Sequence, residues 1–314
     1  MADLSGYSRR TFLSQSLKAL LLAGIGGIST NVLALQGWKK LTVLHTNDTH
    51  SRIDPFPDND PKFPGMGGVY RRMNLIEEIR NEGHPVLLLD SGDIFQGTPY
   101  FNLFGGEVEL KAMSAMKYDA ATFGNHDFDN GVEGLVKQMP HANFPFINSN
   151  YIFENTPLDG KVEKFRIFER VGIKVGVFGL GIELKGLVEE RLTKNIIFTD
   201  PVPSANSTAH HLKKNLNCDL VICLSHLGYK YDHTKISDES LAMNTKNIDL
   251  ILGGHTHTFL DSPAIVKNTE QKNVLIAQTG WGGIRMGRID FLFGEKGQKI
   301  THTSSTVKIS KKSI

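Results

Sequence analysis

Four segments of the chain end in residues that commonly bind metal ions. Each segment follows a short hydrophobic run, and the clearest run is residues 87–89, which leads through a Ser-Gly turn to Asp93. Carboxylate, imidazole and amide ligands mixed in this way suit Mn, Fe, Zn or Co better than Ca or Mg. The pattern therefore predicts a site for such divalent ions. Its candidate ligands are Asp48, His50, Asp93, Asn125, His226, His255 and His257.

Taken singly, each of these motifs has a structural alternative. Asp48 could belong to a turn or a helix cap, because Asp favours both, and Gly followed by Asp93 is a common turn. A single histidine after a strand, such as His226, is more often a hydrogen-bonded structural residue. The order Asp-x-His, Gly-Asp, Gly-Asn-His-Asp, His and Gly-His-x-His, each after an apolar run, is very rare by chance. We therefore interpret the whole set as one metal centre.

The elements that must position these residues alternate between strand and helix. This alternation predicts an α/β fold with a mixed sheet, in one domain of residues 38–314. In open α/β sheets ligands bind beyond the carboxyl ends of the strands, where all the candidate ligands lie. Strands are predicted at 41–44, 86–89, 120–123, 144–147, 220–224 and 250–252, a hairpin at 165–168 and 174–178, antiparallel strands at 274–277 and 288–293, and helices at 69–81, 107–116, 131–138 and 204–215.

The complete set resembles the calcineurin-like metallophosphoesterases, and in particular their 5′-nucleotidase branch. The resemblance rests on Leu-His-Thr-Asn-Asp-Thr-His at 44–50, Gly-Thr-Pro-Tyr-Phe-Asn at 97–102 and Gly-Asn-His-Asp-Phe-Asp at 124–129, and it covers about residues 40–295. It implies a four-layer α/β/β/α sandwich of two mixed sheets. It also implies two divalent ions that share Asp93, one held by Asp48, His50, Asp93 and His257, the other by Asp93, Asn125, His226 and His255.

The resemblance also implies a mechanism. Two such ions about 3.5–4 Å apart lower the pKa of a shared water, so that the bridging hydroxide attacks a phosphomonoester in line. His126 would lie beside the phosphate, with Asn125, and would stabilise the transition state or protonate the leaving alkoxide. Asp129 would hold the His126 ring and favour its charged form. The implied substrate is a small phosphoester such as a nucleotide.

The substrate stays open at this point, because the same ligands could serve a cyclic phosphodiester or a sulfur ester. Periplasmic 5′-nucleotidases carry a second domain whose aromatic residues stack the base and whose arginines hold the phosphate, and from the end of the sequence at Ile314 we expect this chain to lack one. A separately encoded partner could supply that domain, with the chain as its catalytic or binding subunit. Trp281, near the metal site in the family, could offer a stacking surface or be structural.

The N-terminus resembles a twin-arginine export signal. Paired arginines, Arg9 and Arg10, precede an apolar stretch at 17–28 that is too short and glycine-rich to span a bilayer, and small residues suited to cleavage follow at 32–34. The alternative is an N-terminal helix of a cytoplasmic protein. We predict that residues 1–34 are a signal peptide and that the protein is periplasmic or secreted, without a stable membrane anchor.

The charge gives no reason to expect nucleic acid or an anionic membrane as a partner. Residues 1–34 hold three of the 35 basic and one of the 33 acidic residues, so the remaining chain has 32 of each and is neutral. Cys218 and Cys223 would lie roughly 16 Å apart on one strand, beyond disulfide reach, which predicts two free thiols with Cys223 buried. Residues predicted to be structural or solvated are His45, His84, His141, His210, His211, His233, His302, Glu107, Glu109, Glu189 and Glu190.

Overall fold

A computed structural model describes residues 37–295 and 297–311, and the predicted signal peptide lies outside them. The described helices are α1 Val69–Arg80, α2 Pro99–Phe104, α3 Glu107–Ala115, α4 Gly131–Gln138, α5 Pro201–His210 and α6 Asp238–Asn244. The described strands are β1 Lys39–Thr46, β2 Val86–Asp90, β3 Ala120–Ala121, β4 Tyr151–Ile152, β5 Phe165–Arg170, β6 Ile173–Leu180, β7 Ile197–Phe198, β8 Leu220–Ser225, β9 Leu250–Leu252, β10 Ala264–Lys267, β11 Asn273–Ala277, β12 Arg285–Phe293 and β13 Lys299–Lys308.

Two mixed sheets form the centre of the fold. The first has the strand order β13-β12-β1-β2-β3, in which β1 runs parallel to β2 and antiparallel to β12. The second has the order β10-β11-β9-β8-β6-β5, with parallel pairs in the middle and antiparallel pairs at both edges. The parallel strands β1, β2, β8 and β9 lead into the predicted ligand loops.

The alternation of side chains in each strand produces four layers. In β2, Leu87 and Leu89 pack between the two sheets, whereas Leu88 points the other way and packs under α1, α3 and α4. In β8, Ile222 joins the core between the sheets and Cys223 packs under α5 and α6. Helices therefore cover both outer faces, and the predicted α/β/β/α sandwich of two mixed sheets is confirmed.

Three predicted elements differ from the structure. No strand forms at 144–147, where Pro145 lacks the N–H that a strand ladder needs, and only single bridges involve Phe146 and Ile147. The helix predicted at 204–215 starts earlier, because Asp200 caps it and proline is tolerated in the first turn, and residues 211–215 form a π-helical turn. Strand β11 runs parallel to β9, so its predicted antiparallel character holds only towards β10.

Glu109 corrects a prediction, because it is buried rather than solvated. Glu107 and Glu109 begin α3 two residues apart, and this spacing places them on different sides of a helix. Glu107 stays accessible, whereas Glu109 joins Leu110 and Met113 on the buried side. The Glu109 carboxylate faces a cavity of about 10 Å³, also lined by Arg72, which has room for about one water molecule.

Cys218 and Cys223 are both free and both buried, which confirms the prediction of unpaired thiols. Within residues 37–295 and 297–311, none of the helices combines the length and apolar character that a bilayer span requires.

Candidate metal centre

The predicted ligands lie on tight turns that follow strands of the two sheets. Asp48 follows β1, Asp93 follows β2 and His226 follows β8 directly. Several ligands have a left-handed backbone, which is uncommon for residues other than glycine and concentrates at functional sites. These are Asp48 with a φ of 49°, His50 with 49°, Asp93 with 54°, His255 with 72° and His257 with 52°. The backbone of these turns is therefore strained at the positions of the predicted ligands.

The first group of ligands consists of Asp48, His50, Asp93 and His257, whose ligand atoms all lie within 4.8 Å of one another. His257 Nε2 is 3.4 Å from Asp48 Oδ1 and 3.0 Å from His50 Nε2. His50 Nε2 is 3.8 Å from Asp93 Oδ2. These four side chains therefore point at one common volume.

The second group contains Asp93 again, with His226 and His255, and its ligand atoms also lie within 4.8 Å of one another. His226 Nε2 is 3.2 Å from Asp93 Oδ2. Asn125 adjoins this group, because its Oδ1 lies 2.9 Å from His255 Nδ1. Asp93 is therefore the residue that the two groups share.

The chemistry of the donors fits divalent ions of the kind predicted. His226 Nε2 is fully buried and lacks a hydrogen-bond partner of good alignment among the described residues. Burial lowers the pKa of His50, and burial followed by the charge of His226 lowers the pKa of His255 to about 4. Both rings are thus neutral at pH 7, which is the form that binds metal.

His226 differs from the other two rings. Burial alone would lower its pKa, but the Asp93 carboxylate outweighs burial and raises that pKa to about 10. Its other ring nitrogen, Nδ1, lies 2.7 Å from the carbonyl oxygen of Ser91, which fixes the orientation of the ring. Ligating histidines usually have such a partner on the second nitrogen.

Hydrogen bonds between the loops fix the positions of the two ligand groups relative to each other. Asp48 donates its amide to the carbonyl oxygen of Gly92 at 2.9 Å, and His50 donates its amide to that of Asp93 at 3.1 Å. Asp93 Oδ1 accepts the amide of His126 at 2.8 Å. A Cβ on Gly124 would collide with the Asp93 carboxylate, so the Asp93 and Asn125 loops can cross only at a glycine.

Asp127 is a residue whose role the sequence interpretation missed. It is buried, and its carboxylate accepts backbone amides from both the Asp93 loop and the Gly124 turn. Its position in the Gly-Asn-His-Asp motif was a signal that could have found it, because Asp commonly accepts hydrogen bonds from backbone amides in turns. Asp127 therefore ties two of the ligand loops to each other.

His126 lies beside the first ligand group without belonging to it. Its ring is 5.4 Å from the ring of His50, and its Nδ1 is 2.8 Å from Asp129 Oδ2. The hydrogen bond to Asp129 raises the pKa of His126 against the opposing effect of burial. About a third of the His126 side chain is exposed, at 35%, so it can reach a ligand at the centre.

The sequence of the chain matches a known protein family. The sequence model of the calcineurin-like phosphoesterases matches residues 41–259, which is more than half of the chain. The chain belongs to the calcineurin-like phosphoesterase family. This membership confirms the enzyme class predicted from the sequence, a metal-dependent phosphoester hydrolase. The family uses divalent metal ions, and the two ligand groups form a candidate site for a pair of them.

Several relatives within and beyond bacteria are 5′-nucleotidases. The chain is 32% identical to the snake venom 5′-nucleotidase of Crotalus adamanteus over 87% of its own length and 48% of the relative's. It is 34% identical to the 5′-nucleotidase of Vibrio vulnificus, over 91% of its own length and 55% of the relative's. The solved 5′-nucleotidase precursor of Thermus thermophilus superimposes with a TM-score of 0.80 at 30% identity, over 87% of this chain and 55% of that one. The chain thus spans about half the length of these relatives.

Proposed function

We propose that the protein is an exported phosphomonoesterase of 5′-nucleotidase type with a pair of divalent ions at its centre. The observation that carries this proposal is the position of Asp93, whose carboxylate belongs to both ligand groups. One ion would be held by Asp48, His50, Asp93 and His257, the other by Asp93, Asn125, His226 and His255. The relatives named 5′-nucleotidase support a nucleotide as the substrate.

The ions, when bound, supply the activation of water and the neutralisation of phosphoryl charge. The residues of the chain supply the rest. Asn125 and His126 adjoin the site of the phosphate, and His126 has a raised pKa, so that its ring is protonated more readily than a free histidine. In this form it stabilises the negative charge of the transition state or donates a proton to the leaving oxygen. Asp129 orients the His126 ring through Nδ1 and leaves Nε2 free to face the substrate.

The test is hydrolysis by the purified protein, assayed separately with Mn²⁺, Zn²⁺, Co²⁺ and Fe²⁺. It is followed as release of phosphate from a monoester, opening of a cyclic diester to a monophosphate, or release of sulfate from a sulfur ester. The substrates are AMP, glycerol phosphate, 2′,3′-cyclic AMP and an S-sulfonated thiol, so that phosphomonoester, cyclic phosphodiester and sulfur ester are compared at one site. Fastest turnover of the phosphomonoesters supports the proposal. Turnover confined to the cyclic or sulfur ester would replace it with the corresponding alternative.

Export and a partner domain are separate parts of the proposal. Replacing Arg9 and Arg10 by lysine should leave the precursor uncleaved inside the cell, whereas the parent chain should appear outside the inner membrane. A catalytic subunit that needs a separately encoded nucleotide-binding domain would show low turnover of AMP alone and a rise when that domain is added. A purely binding subunit would show no turnover in either case, and the intact pair of His126 and Asp129 argues against it.

A further inference from the structure

Aromatic side chains line one side of the candidate metal centre. Phe63, Phe259 and Trp281 are half-buried, and we refer to these three residues as the aromatic rim. Trp281 lies 6.2 Å from Phe63, and Phe63 lies 6.0 Å from Phe259, measured between ring centroids. Phe56 is buried behind the rim, 5.5 Å from Trp281. The rim is thus a continuous apolar surface with a buried support.

The rim adjoins the accessible ligand of the centre. Trp281 stacks on the ring of His257 at 5.8 Å with an angle of 14° between the planes. The His257 side chain is 40% exposed, whereas those of Asp48 and His226 are fully buried. A substrate can reach the ligand groups only where they are accessible, so His257 and the partly exposed His126 mark the side from which it enters. The aromatic rim borders that side.

Backbone contacts fix the rim relative to the ligands. The amide of Gly282 donates to the carbonyl oxygen of Asp48 at 2.7 Å. On the other side of Trp281, the Asn47 side chain donates to the carbonyl oxygen of Gly280, also at 2.7 Å. The turn that carries Trp281 is therefore attached on both flanks to the segment that carries the Asp48 ligand. A substrate group in contact with Trp281 would therefore lie at a defined distance from the reacting phosphorus.

From these contacts we propose that the aromatic rim is a subsite for the leaving group of the substrate, and that this leaving group carries a planar aromatic ring, such as the base of a nucleoside or the ring of a phenol. Stacking on aromatic side chains contributes to binding without a demand for particular hydrogen bonds. The chain itself would then prefer nucleoside or aryl monophosphates to aliphatic ones. This inference rests on the proposed phosphomonoesterase function.

The kinetic test compares AMP with ribose 5-phosphate in the presence of Mn²⁺, because these substrates share the phosphate and the sugar and differ in the base. Trp281→Leu and Phe63→Leu should raise KM for AMP roughly tenfold and change KM for ribose 5-phosphate much less. Phe165→Leu is the control, since Phe165 is a half-buried phenylalanine on β5 at the far edge of the second sheet. A parallel pair, p-nitrophenyl phosphate and glycerol phosphate, shows whether any aryl ring suffices or a nucleobase is required.

Equal losses on AMP and ribose 5-phosphate in both rim variants, with reduced bound metal, would overturn the proposal. In that case Trp281 only supports the His257 ring. Unchanged kinetics of both variants on every substrate would overturn it as well.

A binding measurement separates this inference from the proposed function. The chain has two tryptophans, so Trp38→Phe leaves Trp281 as the sole tryptophan fluorophore. AMP should quench its fluorescence with saturation, and ribose 5-phosphate should not. Quenching by AMP without hydrolysis of any phosphomonoester would support the subsite and contradict the proposed function. Hydrolysis of AMP without quenching would support the proposed function and contradict the subsite.

Discussion

The carboxylate of Asp127 holds the loop that carries Asp93. Asp127 Oδ2 accepts the amide of Asp93 at 3.0 Å, and Oδ1 accepts the next two amides, of Ile94 at 2.9 Å and Phe95 at 3.1 Å. Oδ2 also accepts the amide of Gly124 at 2.8 Å. A single buried acceptor therefore satisfies the backbone of two loops, and it does so directly behind the carboxylate that both ligand groups share.

Asp127→Asn should weaken metal binding although Asp127 belongs to neither ligand group. Asparagine keeps one acceptor oxygen and places an NH₂ group against amides that need an acceptor, so about two of the four hydrogen bonds are lost. Substitutions of residues that orient metal ligands cost roughly 10–100-fold in affinity or activity. Calorimetric titration with Mn²⁺ measures this change. Unaltered Mn²⁺ affinity in a folded Asp127→Asn protein would show that the Asp93 loop holds its shape without this acceptor.

Asp93→Asn should abolish both the pairing of the ions and the activity. The substitution preserves size and removes the charge that two ions would share, so bound metal should fall below two ions per chain. Phosphate release should fall by more than about 100-fold, because a direct ligand contributes at least as much as the groups that orient it. Elemental analysis and phosphate release measure the two effects. Asp159→Asn, at an exposed position, is the control, and parent-level turnover by Asp93→Asn would contradict the shared-ligand mechanism.

His126→Gln should lower kcat and leave the metal content unchanged. Loss of a general acid or of a cation near the phosphate costs about 10²–10⁴-fold. If His126 protonates the leaving oxygen, the loss should be greater with AMP, whose leaving alkoxide is basic, than with p-nitrophenyl phosphate. Equal losses on both substrates would assign His126 to charge stabilisation alone.

Asp129→Asn tests the residue that orients His126. The hydrogen bond from the His126 ring to Asp129 is the main cause of the raised pKa of His126. Its weakening should lower kcat less than His126→Gln does, because the imidazole itself remains. A double variant should then lose no more than His126→Gln alone, since the two residues act as one unit. Additive losses in the steady-state rates would place Asp129 in a separate role.

The order of strands, helices and ligand residues was predictable because each ligand follows an apolar run of strand length. Leu88 shows the limit of that signal, since the sequence does not reveal that it faces a helix layer while Leu87 and Leu89 face the second sheet. The assignment of four layers came from the resemblance. The sequence does not distinguish Glu109 from the accessible Glu107, and only the packing of α3 places Glu109 on the buried side with Leu110 and Met113.

The missed features of the site depend on contacts across long sequence distances. Asp127 is part of a motif in the sequence, but three of the four amides that it accepts come from residues 93–95. Trp281 was recognised with two alternatives, and its stacking on His257 is decided by loops that meet only in the folded chain. The predicted strand at 144–147 does not form for a local reason. The other three residues of this segment favour strands, but Pro145 lacks the backbone N–H that a strand ladder needs.

A group of charged residues between β1, β12 and the end of α1 should make stability depend on acid pH. Asp290 accepts the Thr42 hydroxyl at 2.7 Å and lies 3.0 Å from Arg288 and 3.1 Å from Lys40. Arg288 also pairs with Glu82. Burial raises the pKa of Asp290, but the hydrogen bonds from Arg288 and Thr42 and the charge of Lys40 outweigh it, and the net pKa is lowered.

Because the folded pKa of Asp290 is below its unfolded value, the carboxylate stabilises the fold at every pH above the unfolded pKa of about 3.9, and this contribution is lost as pH falls further. Asp290→Asn should therefore lower the free energy of unfolding by about 1–3 kcal/mol at pH 7, as expected for hydrogen bonds to charged groups. The gap between parent and variant should narrow below about pH 4. Urea denaturation at pH 7, 5 and 3.5 measures it. Glu270→Gln, in an exposed pair with Lys272, should change nothing measurable, and a gap for Asp290→Asn that widens on acidification would contradict the assigned direction.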